Sequence, residues 1–145
     1  MILRIIHWAS RCLLAGIFLY SGYIKLQNTL QFAATISSYK LLPFSVVLPL
    51  AQYLPWVEIV LGIMLLTGWK MRYVSFVTIG LLSVFIGIMT LTWLRGIDAD
   101  CGCFGSGEPI SHLTIARDAL FLLPAIFLAL ESVKAKVSKP SEIHG

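Results

Sequence analysis

The motif Cys101-Gly102-Cys103-Phe104-Gly105 places two thiols one residue apart in the one long polar loop of the chain. Thiols at this spacing are close enough to form a disulfide with each other, or to pass one to another protein. A disulfide across a single residue closes a small ring, and the strain in that ring makes it easier to reduce. The glycine between the thiols removes the side chain that would obstruct such a turn. The motif therefore predicts thiol–disulfide chemistry.

Two other functions fit the same cysteines. Cys101 and Cys103 could form half of a metal site with His112 as the third ligand, since thiolates bind copper(I) or zinc. The sequence offers no second cluster of Cys or His to complete four ligands, so we assign no metal. The pair could also be a structural clip that rigidifies the loop. The third cysteine, Cys12, lies in an apolar run, where we expect a small packing residue.

The composition of the chain is that of a membrane protein, with 58% hydrophobic and 12% charged residues in a length of 145. A helix needs about 20 apolar residues to cross a bilayer, and such runs occur at about 5–24, 46–69, 73–94 and 111–133. Residues 28–40 predict a short amphipathic helix in the interface, with a simple loop as the alternative. We therefore predict an all-α integral membrane protein, a bundle of four transmembrane helices forming one domain over residues 1–145.

Prolines and small residues predict further details of these spans. Pro49 and Pro55 interrupt the start of the second span, so we expect regular helix to begin only near Pro55. Gly80, Ser83 and Gly87 form a seam of small residues in the third span. Such a seam lets a neighbouring helix approach closely, so we expect helix contact there.

The basic residues predict an orientation in the membrane. The net charge of +4 comes from cations at span ends, which favours a role in topology over nucleic-acid binding. Four spans put both termini on one side, and that side carries the larger share of cations: Arg4, Lys70, Arg72, Lys134, Lys136 and Lys139. By the positive-inside rule the termini are cytoplasmic. We therefore predict the bacterial inner membrane, with the Cys loop in the oxidising periplasm.

Ionisable residues gather at the level of the Cys loop. Lys25 ends the first span, Glu58 lies about one turn into the second, and Arg117 and Asp118 open the fourth. Carboxylates inside spans are costly and usually paired. Neighbouring residues on a helix do not face each other, so we expect Glu58 or an aspartate of the loop to offset Arg117. We hypothesise that Lys25, Glu58 and Arg117 form a polar network beneath the loop, with Asp118 beside them.

Several stretches resemble those of DoxX-type membrane proteins. They are Ser21-Gly22-x-x-Lys25-Leu26, Pro55-Trp56-x-Glu58 followed by Gly62, and the Leu-Leu-x-Gly ending from Leu65 to Gly68. The cysteine motif, ahead of a last span that opens with Arg117-Asp118, resembles the MauE branch of that superfamily. The resemblance implies a four-helix membrane bundle. It also implies Cys101 and Cys103 as a redox pair, with Lys25, Glu58 and Arg117 in a shared polar core.

The resemblance further implies a place in protein maturation. MauE is associated with maturing the disulfide-rich small subunit of periplasmic methylamine dehydrogenase, beside a thioredoxin-like partner, MauD. We therefore expect an inner-membrane protein that supports disulfide formation or maturation of a periplasmic client, with a MauD-like partner. By analogy with four-helix thiol oxidases of the DsbB and vitamin K epoxide reductase type, a membrane quinone near Glu58 and Lys25 is the candidate electron carrier.

The number of cysteines in the chain bears on this expectation. The chain lacks the second cysteine pair that such oxidases use as a shuttle, which favours an accessory protein or a partner that supplies the pair.

The rival from another class is a non-enzymatic scaffold that recruits a periplasmic partner, with a structural or metal-binding cysteine pair. A transporter is disfavoured, because the third span has no charge and no inverted repeat is evident.

Overall fold

In the computed structural model, which describes residues 1–101 and 109–138, the regular elements are α-helices. They are α1 (Ile2–Gln27), α2 (Thr29–Ser38), α3 (Phe44–Thr67), α4 (Met71–Leu94) and α5 (His112–Val137). All except α2 are long and apolar enough to cross a membrane. The prediction of an all-α membrane protein with four spans, and a short helix after the first, is confirmed.

The helices pack as two close pairs, α1 with α3 and α4 with α5. The pairs meet mainly where α1 contacts α5, whereas α3 and α4 touch only sparingly. One buried apolar cluster joins all four long helices, with Leu14, Phe18, Leu65, Val74 and Leu128 among its members. Large apolar side chains also cover much of the outside, because this surface faces lipid rather than water.

Helix α2 packs on the first half of α3. Phe32 and Ile36 of α2 are buried against Val47 and Ala51 of α3. Helix α3 runs unbroken from Phe44 through both of its prolines. The expectation that regular helix begins near Pro55 is therefore wrong. Packing against neighbouring helices lets membrane helices tolerate proline, although it removes a backbone hydrogen bond.

Helices α1 and α3 approach each other closely at glycines of both helices. A Cβ added at Gly22 would lie 2.7 Å from Ile59 Cγ1 and 2.9 Å from the carbonyl oxygen of Pro55. One added at Gly62 would lie 2.7 Å from Leu19 Cγ. The two helices can therefore pack at this distance only where these side chains are missing.

The prediction of a close helix contact at the small residues of the third span is wrong for both of its glycines. Nothing among the described atoms lies within 4 Å of a Cβ added at Gly80 or Gly87. Both residues are exposed on the outside of α4. The buried face of α4 instead carries Val74, Ser75 and Thr78. Small residues permit the close approach of another helix but do not require it. In α4 the neighbouring helices pack against the opposite face.

At the end of the bundle away from the cysteine motif, polar side chains of α1 bind its neighbours. Arg11 donates from Nε to the carbonyl oxygen of Leu65 at 2.8 Å, and from Nη2 to that of Leu66 at 2.7 Å. These carbonyls belong to the last turn of α3, where no intrahelical partner is available. His7 Nδ1 contacts Glu131 of α5. These polar side chains of α1 are therefore paired across helices.

The contacts of the glycines predict that a change to alanine alters stability in opposite directions at different positions. Gly22→Ala and Gly62→Ala should each destabilise the protein by about 1–3 kcal/mol, because the added methyl groups overpack the α1–α3 interface. Gly80→Ala should be neutral or stabilising by up to about 1 kcal/mol, because alanine is the better helix former. Thermal unfolding of the purified protein in detergent measures both. Gly16→Ala, at an open position of α1, is the matched control, and equal losses at all positions would contradict this account.

Candidate functional site

A buried ion pair joins α1 to α3 in the interior of the bundle. Lys25 Nζ lies 2.7 Å from Glu58 Oε1, and the two residues are 4% and 7% exposed. The ammonium also lies 4.8 Å from the ring centroid of Phe32 and 5.7 Å from that of Phe85. These aromatic faces stabilise the cation further. The predicted contact between Lys25 and Glu58 is thus present, with Glu58 several turns into α3 rather than near its start.

Cys101 lies at the same end of the bundle and is entirely buried. Its Sγ atom is 3.7 Å from Arg117 Nη2, 3.9 Å from Asp118 Oδ2 and 4.0 Å from Met89 Sδ. The guanidinium favours negative charge on the sulfur, whereas the carboxylate opposes it. The sulfur therefore sits between groups that act oppositely on a thiolate.

One side chain from elsewhere in the chain holds the backbone at Cys101, and a second side chain holds the backbone of that residue in turn. The hydroxyl of Tyr39, which follows α2, lies 2.9 Å from the carbonyl oxygen of Cys101 and 3.0 Å from that of Asp100. Arg95 Nη1 donates to the carbonyl oxygen of Tyr39 at 3.4 Å. Tyr39 is itself buried. The position of Cys101 thus depends on the helix that follows the first span.

Backbone contacts close the base of the cysteine loop. Asp100 and Pro109 form an isolated antiparallel bridge, and the amide of Ile110 donates to the carbonyl oxygen of Ala99 at 3.0 Å. The loop then enters α5 through a capping box, in which Ser111 and Thr114 satisfy each other's backbone amides. These contacts hold Cys101 above the first turns of α5.

An interhelical cavity of about 190 Å³ separates α1, α3, α4 and α5 beneath this region. Most of its wall is apolar, with Leu54, Leu82 and Phe85 among the lining side chains. Lys25, Glu58, Asp118 and Ser21 supply its polar part. Asp118 thus lies between the cysteine and the cavity, since its carboxylate contacts Cys101 and its side chain also lines the cavity.

Arg117 pairs with a residue that the sequence argument had excluded. Its Nε atom lies 3.1 Å from Oδ1 of the adjacent Asp118, so the argument that excluded this neighbour is wrong. The rule for adjacent helix positions concerns the direction of the Cβ atoms. A long guanidinium can bend back to a short carboxylate, and burial of Asp118 at 2% exposure favours that pairing. The polar residues thus form two groups, Lys25 with Glu58 and Arg117 with Asp118, and both reach the cavity or its edge.

The remaining predicted positions have different outcomes. Cys103 lies outside the described residues, so its contacts with Cys101 stay a prediction. Cys12 is exposed on the outside of α1, so the expectation of a packing residue is wrong. His112, the third ligand that a metal site would need, is exposed at the start of α5. Within residues 1–101 and 109–138, no three Cys, His, Asp or Glu side chains gather as a ligand set.

Sequence reasoning missed Tyr39 and Met89 as neighbours of Cys101. Tyr39 carried a usable signal, because it extends the buried face of a short amphipathic helix and ends in a hydroxyl group. Met89 carried none, since it is one apolar residue among many in the third span. Only packing shows that its sulfur faces the cysteine.

Known proteins share sequence with most of this chain. The family model described as methylamine utilisation protein MauE matches residues 3–131. Methylamine utilization protein MauE of Paracoccus denitrificans is 30% identical over 126 residues, which are 85% of this chain and 67% of that protein. The protein of that name from Methylophilus methylotrophus is 34% identical over 122 residues, or 83% of this chain and 62% of its own length. No solved structure matches.

The contacts of Tyr39 predict how Cys101 is shielded. In Tyr39→Phe the carbonyls of Asp100 and Cys101 lose the hydroxyl, and the loop should open more often. After reduction, in a Cys12→Ser background, Cys101 should then react faster with a small thiol reagent, by about tenfold if the lost hydrogen bond is worth about 1.4 kcal/mol. Tyr53→Phe, at an exposed position of α3, is the control. An unchanged rate would mean that the hydroxyl does not hold the loop.

The buried ion pair predicts a non-additive effect on stability. Glu58→Gln alone leaves the Lys25 ammonium without its counter-charge and should cost about 3–5 kcal/mol. Lys25→Met with Glu58→Leu removes both charges and should cost much less than the sum of the single changes. Unfolding midpoints of the single and double variants in detergent measure the difference. Strictly additive losses would contradict the pairing.

Proposed function

Since the chain belongs to the MauE family, we propose that it is an accessory membrane protein of methylamine utilisation that works by thiol–disulfide exchange. Cys101 and Cys103 are the exchanging pair. The client is a periplasmic protein whose disulfides must form or mature, and the partner is a thioredoxin-like protein of the MauD kind. The family membership supports the pathway, and the chemistry of the two cysteines supports the reaction.

The observation that carries the proposal is the placement of Cys101. Its sulfur is buried beside a guanidinium and a carboxylate, and its backbone is held by Tyr39. A cation next to a cysteine stabilises the thiolate, which is the attacking form in disulfide exchange. Neighbouring apolar helices exclude water from the site. These features suit a thiol that reacts with its own neighbour more readily than with bulk solvent.

The burial of Cys101 also assigns different roles to the two cysteines. A partner protein has no direct access to a thiol that is 0% exposed. The partner therefore exchanges with Cys103, and Cys101 resolves the mixed disulfide from inside. The flanking cations favour cytoplasmic termini in the bacterial inner membrane, which puts this exchange on the periplasmic side.

A membrane scaffold is the second candidate, and the same burial favours it. A fully enclosed cysteine held by backbone contacts is also what a structural clip in a docking loop would need. In that case the protein recruits its partner without exchanging disulfides. The two functions differ in what serine variants do, because a scaffold needs the shape of the loop but not its sulfur chemistry.

The proposal is tested first by the redox state of the pair in intact cells. In a Cys12→Ser background, a membrane-impermeant thiol reagent should label Cys103 only after mild reduction, because the loop is periplasmic and holds a labile disulfide. Labelling only in opened cells would contradict the orientation. Failure to label even after strong reduction in opened cells would favour a metal-bound or structural pair.

Single serine variants test the division of work. Cys101→Ser should accumulate a mixed disulfide between Cys103 and the thioredoxin-like partner, because the resolving thiol is missing. Cys103→Ser should trap at least about tenfold less, since burial slows the attack of Cys101 on a partner. Non-reducing gel electrophoresis of affinity-purified protein measures both. Full client maturation in the double serine variant would identify a scaffold.

A further inference from the structure

The buried sulfur of Cys101 has a carboxylate within reach of its proton. Asp118 Oδ2 lies 3.9 Å from Cys101 Sγ, and Asp118 and Cys101 are 2% and 0% exposed. Catalytic hydrogen bonds are often long before a substrate binds. A thiol can donate its proton, and an ionised carboxylate can only accept one. The two side chains are therefore arranged as a donor and an acceptor.

One guanidinium contacts both of these groups. Arg117 Nε lies 3.1 Å from Asp118 Oδ1, and Arg117 Nη2 lies 3.7 Å from Cys101 Sγ. Transfer of the thiol proton to Asp118 moves the negative charge from the carboxylate to the sulfur. Because the charge stays beside Arg117, the transfer leaves no buried charge without a counter-ion, which would be costly. Arg117 therefore makes a thiolate at this buried position less unfavourable.

On the side of the cavity, the other charged groups are already paired. Lys25 of α1 and Glu58 of α3 line the same cavity as Asp118. They lie 2.7 Å from each other, so their opposite charges largely cancel at a distance. The side chains of α4 that line the cavity are apolar, and Met89 of that helix contacts the sulfur without carrying a charge. The charge balance at Cys101 is thus set mainly by Asp118 and Arg117.

On the side of the loop, the hydroxyl of Tyr39 is hydrogen-bonded to the backbone carbonyls of Asp100 and Cys101. The charged or titratable side chains of the described residues there are exposed or partly exposed: Arg95, Asp98, Asp100 and His112. Water and salt screen exposed charges much more than buried ones. These side chains therefore influence the sulfur less than the buried carboxylate does.

We propose that Asp118 is the catalytic base of the exchange reaction and takes the proton of Cys101 as its sulfur attacks a mixed disulfide. This inference rests on the proposed function and adds the residue that makes the buried thiol reactive. The attacking form is the thiolate, which apolar surroundings disfavour. An ionised Asp118 also disfavours it, so Cys101 stays a thiol until Asp118 accepts the proton. After the transfer Asp118 is neutral, and only the cation of Arg117 acts on the sulfur.

The step balances in protons and electrons. The proton of Cys101 passes to Asp118 Oδ2 while the Cys101 sulfur bonds to the sulfur of Cys103. The bond between Cys103 and the partner breaks, and the partner leaves as a thiolate with the electron pair of that bond. The two cysteines of the chain are thereby oxidised and the partner is reduced, and Asp118 releases its proton to water. In the opposite direction Asp118 returns a proton to the Cys101 sulfur as a partner thiolate opens the disulfide.

A small chromogenic disulfide measures this step directly. Reduced full-length protein with Cys12→Ser, the parent for all variants, is mixed in lipid nanodiscs with one equivalent of dithiobis(nitrobenzoate). Attack by Cys103 releases a first nitrothiobenzoate, and attack by Cys101 on the resulting mixed disulfide releases a second. The nitrothiobenzoate leaves as a stable thiolate. The pH dependence of the second release therefore reports the attacking thiol.

The expected result is a change in the pH profile of the second release. In the parent its rate should be nearly constant between about pH 6 and 8, because the carboxylate takes the proton without hydroxide. In Asp118→Asn the rate should be at least about tenfold lower at about pH 6 and rise about tenfold per pH unit, as the fraction of an unassisted thiolate does. Asp118→Glu keeps a carboxylate and should restore the flat profile. Asp98→Asn removes the same charge at an exposed position and is the matched control.

A carboxylate that acts only through its charge gives the opposite sign. In that case Asp118→Asn releases the second nitrothiobenzoate faster than the parent at every pH, and the proposal is overturned. A parent rate that already rises about tenfold per pH unit overturns it too. The parent profile needs no substitution at Asp118, so the test remains decisive even if Asp118→Asn does not fold.

The outcomes also separate this inference from the proposed function. If both releases occur and Asp118→Asn keeps the parent profile, Asp118 is not the base and the proposed function stands. If the profiles are as expected but Cys101→Ser traps no thioredoxin-like partner, the proposed function fails and the role of Asp118 stands. A parent without a second release contradicts both, because Cys101 then does not resolve a mixed disulfide.

Discussion

The ion pair between Lys25 and Glu58 is the interaction on which the rest of this bundle depends. Either charge alone would be costly among apolar helices, so each needs the other within hydrogen-bond distance. The 2.7 Å contact therefore fixes α1 against α3 at one height. The close packing at Gly22 and Gly62 occurs along the same pair of helices. The ion pair and the close packing at the glycines thus favour the same alignment of α1 along α3.

That register places a second polar group above the cavity. Arg117 and Asp118 at the start of α5 surround the Cys101 sulfur, while Tyr39 holds its backbone from the helix after the first span. The cysteine is thus positioned by residues from two separate parts of the chain. The arrangement isolates one thiol from water and places it in contact with Asp118, which lines the apolar cavity. A solvent-exposed dithiol loop would need none of these contacts.

The close packing of α1 with α3 and of α4 with α5 leaves α3 and α4 with little contact. In a soluble protein such a gap would fill with water or collapse, because apolar surface there is costly. In a membrane, lipid is as apolar as the side chains, so an opening between helices has no such cost. The same fact explains the exposed glycines of α4, which need no neighbour. The cavity is thus compatible with a stable bundle in a bilayer.

The sequence alone predicted the four spans and the helix after the first span, and it suggested that Lys25 and Glu58 share one polar network. Hydrophobic length and the cost of a buried charge are local properties that one chain displays directly. Tertiary structure alone decided that Arg117 pairs with its neighbour Asp118, that Gly22 rather than Gly80 meets another helix, and that Met89 faces Cys101. Each of these depends on which faces of distant helices meet. The sequence of an apolar span does not show this, because the faces that contact lipid and those that contact other helices are equally apolar.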